Sequence, residues 1–176
     1  KKISTGKKTD KFGIDVEEIP TIVNYIESSS NLKLTGISCH IGSQISNISV
    51  FGNVFKFMKE AAEQFINKGI HINHVDLGGG LGVQYNENDL TLNLALLKKE
   101  INKYFNQIPY EISFEPGRYL VANAGILITS IITTKKNGGR NYLITDAGMN
   151  TFIRPSLYKT KHKVEAINNL SNQKIE

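Results

Sequence analysis

The sequence predicts an α/β protein whose first two-thirds alternates helices with parallel strands and whose last third is antiparallel β. Apolar residues recur at helical spacing in three separate stretches before residue 106, and short apolar runs lie between and after those stretches. From residue 126 onward, β-branched runs succeed one another with no helix of useful length between them. Each short run of the first part also breaks off in a polar or glycine-rich loop. In a parallel sheet those loops lie at the carboxyl ends of the strands, where ligands bind.

Lys1 to Gly13 is polar and basic, with Gly6 and Gly13 as breakers, and reads as a loop. Asp15 with Glu18 three residues on is a capping-box pattern ahead of Ile19, Ile22, Val23 and Ile26. Pro20 is tolerated there because it falls in the first turns. Ser28-Ser29-Ser30-Asn31 dissolves that helix, and Leu34 to Cys39 reads as a strand exiting into His40-Ile41-Gly42-Ser43-Gln44. A second helix is expected from about Val50 to Asn67, with Phe51, Val54, Phe55, Met58, Ala62, Phe65 and Ile66 as its buried stripe and Gly69 as its stop. Ile70 to Leu77 is strand-like and ends in Gly78-Gly79-Gly80-Leu81-Gly82. A third helix, capped near Asp89, carries Leu90, Leu94, Leu97, Ile101, Tyr104 and Phe105. After Pro109, the strand Tyr110 to Phe114 delivers Glu115-Pro116-Gly117-Arg118, where proline and glycine bend the chain between two charges.

A boundary is expected near Val121 to Gly125, dividing the chain into 1–124 and 125–176. Beyond it, Ile126 to Thr134 and Tyr142 to Thr145 flank the hairpin-like spacer Lys135 to Arg140. Lys163 to Ile167 reads as a further strand.

Bulk properties narrow the function. The formal charge is +5, but the basic residues fall in separated clusters without interleaved aromatics. That pattern argues against nucleic acid and suits an anionic small ligand. No apolar run approaches the ~20 residues of a membrane helix, and Lys1 to Lys8 lacks the apolar core of a secretory signal. The first residue is not Met, which suggests a start inside a longer protein. Cys39 is the single cysteine, so no intrachain disulfide forms, and a reducing, cytoplasmic setting is expected.

Chemistry-bearing residues collect at the predicted strand ends. Consecutive glycines Gly78-Gly79-Gly80 let backbone amides converge on an anion such as phosphate. Val83 to Asn88 delays the next helix, which favours a phosphate nest over a dinucleotide fingerprint. His40 is either a satisfied core residue or an imidazole placed to stack on a planar ring, with the Ser43 hydroxyl available to a phosphate. His71, His74 and Asp76 are close in sequence but show no compact zinc spacing, so no metal is expected. Arg154 can fork onto a carboxylate, and Tyr158 adds a hydroxyl on an aromatic body. Together these groups suggest a phosphorylated planar cofactor and an amino-acid substrate.

In these motifs the chain resembles the alanine-racemase-like, barrel-type pyridoxal-phosphate decarboxylases. The resemblance rests on Ile3-Ser4-Thr5-Gly6, Lys11-Phe12-Gly13, His40 to Gln44, Gly78 to Gly80, Glu115 to Arg118, Asp146-Ala147-Gly148-Met149-Asn150 and Arg154-Pro155-Ser156-Leu157-Tyr158, in family order. The last two blocks are similar to the branch acting on meso-diaminopimelate, rather than to the ornithine and arginine branches. The resemblance implies the last three units of a TIM-type (β/α)8 barrel, followed by the first strands of a β domain. It implies the cofactor pyridoxal 5'-phosphate, with His40 stacked on the pyridine ring and Glu115 paired with its nitrogen. The phosphate would be held by Ser43, Gly78, Gly79, Gly80 and the backbone of the Pro116-Gly117-Arg118 turn. Arg118, Arg154 and Tyr158 would contact the substrate, and the reaction would be decarboxylation to L-lysine and CO2 in a homodimer.

Nothing in the chain matches the family's Schiff-base lysine, its early barrel strands or its later cysteine-glutamate-serine block, and Thr151 replaces an expected acid or polar residue. The expectation is therefore a C-terminal-half piece, inactive alone, whose missing half could act in trans. Two other readings stand beside it. One is a non-catalytic remnant that binds a phosphorylated ligand or a partner chain. The other is a related decarboxylase of another basic amino acid or polyamine precursor.

Overall fold

The computed structural model describes residues 11–167. Asp15 accepts the Glu17 amide and opens a single 3-10 turn, Val16–Glu18, which runs into α1 (Ile19–Glu27) with a proline at its start. The Glu18 side chain makes no cap bond, so the expected capping box is not closed. β1 (Gly36–Ser38) leads to α2 (Ile48–Asn67), which begins slightly earlier than the apolar stripe suggested. Asn47 is its cap, accepting the Ser49 amide at 3.0 Å. β2 (His74–Asp76), α3 (Leu94–Phe105) and β3 (Glu111–Ser113) complete the alternation.

α3 corrects one expectation. Its cap is Asn93, which accepts the Leu96 amide at 3.0 Å, and not Asp89. Asp89 instead accepts the amides of Tyr85 and Asn86, each at 2.9 Å, and so closes a local loop. These backbone bonds, Asn86 first, hold its carboxyl below the ordinary range. A short acceptor side chain serves a turn as readily as a cap, and Leu90, left outside the helix, is exposed.

The three strands form one parallel sheet in the order β1-β2-β3. Ile37 aligns with Val75 and Ile112, and Ser38 with Asp76 and Ser113. Neighbours in space are thus neighbours in sequence, the arrangement of successive barrel units rather than of a sheet with a topological switch point. Because side chains alternate along a strand, Ile37, Val75 and Ile112 share one face, while Ser38, Asp76 and Ser113 share the other. The apolar face meets the helices. Phe55 of α2 is fully buried, and its ring lies 5.9 Å from Phe105 and 6.1 Å from Phe114. Val23, Phe51, Met58, Phe65 and Leu97 belong to the same core.

The chain divides into two compact units. The first holds the described residues up to Val83 together with Leu90–Ala122; the second holds Gln84–Asp89 and the described residues from Asn123 onward. The first ends in a short helix, α4 (Gly117–Val121). In the second, β4 (Ile131–Asn137) and β5 (Arg140–Thr145) form an antiparallel hairpin. Its two-residue turn, Gly138-Gly139, has φ values of 55° and 78°, the doubly positive geometry that suits the twist of a hairpin. α5 (Arg154–Tyr158) follows. Lys163 to Ile167, expected as a strand, forms none: it pairs with neither β4 nor β5, and Val164 and Ile167 are exposed. No helix among the described residues is long and apolar enough to cross a membrane.

Candidate functional site

The three parallel strands release their chains at one end of the sheet, where His40, Ser43, Gly78 to Gly80 and Glu115 to Arg118 come together. The glycine loop threads between its neighbours. A Cβ on Gly78 would overlap the Cys39 carbonyl oxygen, one on Gly79 the Glu115 carbonyl oxygen, and one on Gly80 the Gly42 carbonyl oxygen. The glycines are therefore required by close backbone approach on both sides, whatever they bind. Gly78 and Gly80 also take positive φ, 70° and 84°. The loop is wedged in place.

Two devices hold it. The Gln44 side chain pairs with the backbone of Val83 in both directions: its Nε2 donates to the carbonyl at 2.8 Å, and its Oε1 accepts the amide at 2.9 Å. The Ile45 amide donates to the Gly80 carbonyl, and the Gly82 amide returns to Ile45, both at 2.9 Å. On the polar face of the sheet, Asp76 Oδ1 accepts the Gly78 amide at 2.7 Å. Its Oδ2 accepts the Ser113 hydroxyl at 2.6 Å, and Ser113 Oγ lies 2.7 Å from His74 Nε2.

On the other side, the Glu115 amide donates to the Gly78 carbonyl and the Gly117 amide to the Glu115 carbonyl. With Pro116 at φ −80° and ψ 61°, this is an inverse γ-turn, tighter than the expected bend, and α4 starts directly after it. His40, Ser43 and Glu115 are exposed, and Arg118 is half-buried. Among the described residues, none of their side chains has a hydrogen-bond or ion-pair partner. Cys39 belongs to the packed face, and burial, aided by the charge of Asp76, raises its thiol to about 11. It is no nucleophile.

The donors that remain fit a phosphate. Gly79 is buried, yet among the described residues its amide and that of Gly80 donate to nothing. A buried unpaired amide calls for an acceptor, and two adjacent ones converge on an anion. No group of histidine, cysteine and carboxylate side chains among the described residues can hold a metal ion.

In the second unit, Arg154 and Tyr158 come together. The guanidinium carbon lies 5.6 Å from the Tyr158 ring centroid and 5.5 Å from that of Tyr85. Its Nε is buried, with no hydrogen-bond partner among the described residues. Tyr85 and Phe152 both meet the His162 ring, at 5.3 and 4.7 Å, and burial, with Arg154 nearby, lowers the His162 pKa. Asp146, in the motif ahead of Arg154, is engaged locally by the Thr129 hydroxyl and the Ser130 amide.

Sequence reasoning missed Gln44, Asp76, Ser113 and Tyr85 as members of these clusters. For Asp76 a signal was available, since it ends the strand just ahead of the glycines and shares a face with His74. Tyr85 gave none, being an isolated aromatic in a polar loop.

The fold has counterparts among known proteins. Residues 1–122 match the family model of the pyridoxal-dependent decarboxylases, in its pyridoxal binding domain. The chain is 37% identical to the diaminopimelate decarboxylase of Aquifex aeolicus over 98% of its own length and 41% of the relative's. It is 41% identical to that of Haemophilus influenzae over 89% of its length and 38% of the relative's. Among solved structures, diaminopimelate decarboxylase from Helicobacter pylori complexed with L-lysine superposes with a TM-score of 0.88 at 36% identity, covering 95% of this chain and 42% of that one. The chain thus spans about two-fifths of the length of the relatives it matches. It carries part of their barrel followed by β structure, and it belongs to the pyridoxal-dependent decarboxylase family.

Proposed function

We propose that the strand ends of the first unit bind pyridoxal 5'-phosphate and that the protein decarboxylates meso-diaminopimelate to L-lysine and CO2. The observation that carries the cofactor reading is the wedged glycine loop, in which the amides of Gly79 and Gly80 donate to nothing among the described residues, at the same end of the sheet as Ser43 and the Gly117-Arg118 backbone. His40 would lie against the pyridine ring, and the Glu115 carboxylate would keep a proton at the ring nitrogen. Bound there, the cofactor supplies an electron sink for the charge left when CO2 departs. Arg118, Arg154 and Tyr158 would receive the substrate. Arg154 suits a carboxylate because its planar fork is already held by two tyrosine rings and has a buried nitrogen to satisfy.

Part of the reading is completion of the barrel by further strands, within the same polypeptide or from a second chain, because three strands cannot close on themselves. The reading includes a homodimer and a cytoplasmic location, which suits a single, packed thiol. The division of labour at 124/125 is part of it: a cofactor-binding α/β part, then a β part that adds substrate contacts.

The test is spectroscopic and chemical. The complete protein should bind pyridoxal 5'-phosphate, and borohydride reduction should then leave one labelled lysine. It should release CO2 from meso-diaminopimelate in preference to lysine, ornithine or arginine. Binding without decarboxylation of any of these would leave a phosphorylated-ligand-binding protein, and release from another amino acid would reassign the substrate.

A further inference from the structure

Asp76 is an odd neighbour for a phosphate. A carboxylate beside an anion nest repels the ligand unless its charge is already engaged. Here both oxygens are engaged, one by the Gly78 amide at 2.7 Å and the other by the Ser113 hydroxyl at 2.6 Å. A serine has one proton to give. Since it goes to Asp76, the 2.7 Å contact between Ser113 and His74 Nε2 needs its proton from the imidazole, an assignment made from the network. Donation therefore runs from His74 to Ser113 to Asp76, and meets the amide of Gly78 coming from the other side. The register that sets Asp76 opposite Ser113 builds this chain on the polar face of the sheet, away from the helices.

Building on the cofactor reading above, we infer that Asp76 is a positioning residue for the phosphate loop, backed by Ser113 and His74. By taking the Gly78 amide it selects which donors of the loop stay free, leaving Gly79 and Gly80. It also pins the first glycine at its positive φ, so the two free amides are aimed before any ligand arrives. Such preorganisation favours the phosphorylated ligand because the loop need not be ordered on binding.

The consequence is specific to phosphate. In the complete protein, fluorescence titration with pyridoxal 5'-phosphate and with pyridoxal gives the selectivity that the phosphate group contributes. Asp76→Ala should lower this selectivity at least about tenfold, the scale of one charge-assisted hydrogen bond, with pyridoxal binding little changed. Asp76→Asn should rescue most of it. Asparagine still accepts from Gly78, and its amide can donate to Ser113 once the serine proton turns to His74. Titration with inorganic phosphate should shift the Gly79 and Gly80 amide resonances in the wild type and Asp76→Asn, and much less in Asp76→Ala.

If the wild type is selective and Asp76→Ala is equally or more selective, repulsion outweighs positioning and the inference falls while the cofactor reading stands. If Asp76→Ala weakens both ligands alike, Asp76 merely supports the fold, and the inference again falls. If the wild type shows no preference for the phosphorylated form, the cofactor reading and the inference fall together.

Discussion

The two units handle apolar side chains in opposite ways. The parallel unit buries Phe51, Phe55, Val75 and Leu77 between its helices and one face of its sheet, to less than 2% exposure each. In the hairpin unit every residue of β4 is exposed, and Ile131, Ile132, Leu143 and Ile144 all remain more than 40% exposed. Both units have the right residues for their secondary structure. Among the described residues only one has a second layer to set them against, and an element acquires stability from the layer it packs on. The hairpin is specified by its turn and its register, the parallel unit by its core.

The sharpest way to break the comparison is to empty that core. Phe55→Ala should destabilise the parallel unit by about 3–5 kcal/mol, read as the loss of helical signal at far lower urea; a smaller change would mean that the neighbouring rings Phe105 and Phe114 collapse into the space. Gly79→Ala comes next, at about 3 kcal/mol, near the upper end of overpacking because the added methyl meets the backbone of Glu115. A neutral outcome in the same denaturation assay would show that the loop is not wedged.

Gln44→Asn should cost about 1–2 kcal/mol. Asparagine tolerates the positive φ of 61° at this site but is too short to keep both bonds to Val83. Gln44→Leu, which keeps the bulk and loses both bonds, should be worse. The hairpin lies at the other extreme. Ile132→Ala should change stability by less than about 0.5 kcal/mol, as expected for an exposed site; a larger loss would show that something covers that strand.

His162 sharpens the same contrast through pH. Burial lowers its folded-state pKa, with Arg154 adding to the effect, so the unfolded chain takes up the proton first. The aromatic cluster should therefore keep its full stability above the ordinary histidine value and lose it as pH falls through that value towards the folded one. An NMR titration of the His162 ring should give a midpoint below that of an unfolded peptide, and Arg154→Gln should move it upward. A midpoint at or above the peptide value would contradict the packed cluster.

Much of the fold was legible because periodicity reports packing on a single partner layer. The stripe of Phe51, Phe55, Met58 and Phe65 announced α2, and the spacer Lys135 to Arg140 announced a hairpin, of which only Gly138-Gly139 forms the turn. Where two side chains competed for one role, pattern could not choose. Asp89 and Asn93 are both able to cap α3, and the winner was decided by the loop that Asp89 closes with Tyr85. Short helices such as α4 and α5 carry too few turns to show a period. Strand edges mislead in the opposite direction: Lys163 to Ile167 has strand-forming residues, but such a run becomes a strand only beside a partner. The glycine, histidine and Glu115-Pro116 motifs stood out because each is confined to one loop. The network beneath them did not, since Asp76 and Ser113 are 37 residues apart and only the register brings them together.

The excursion of Gln84–Asp89 into the second unit has a practical outcome for anyone wishing to take the molecule apart. A cut after Ala122 would send Tyr85 away with one piece and Arg154 with the other. Neither product would carry a whole copy of the aromatic cluster. Its parts should therefore be exchanged between relatives only with the small loop travelling alongside.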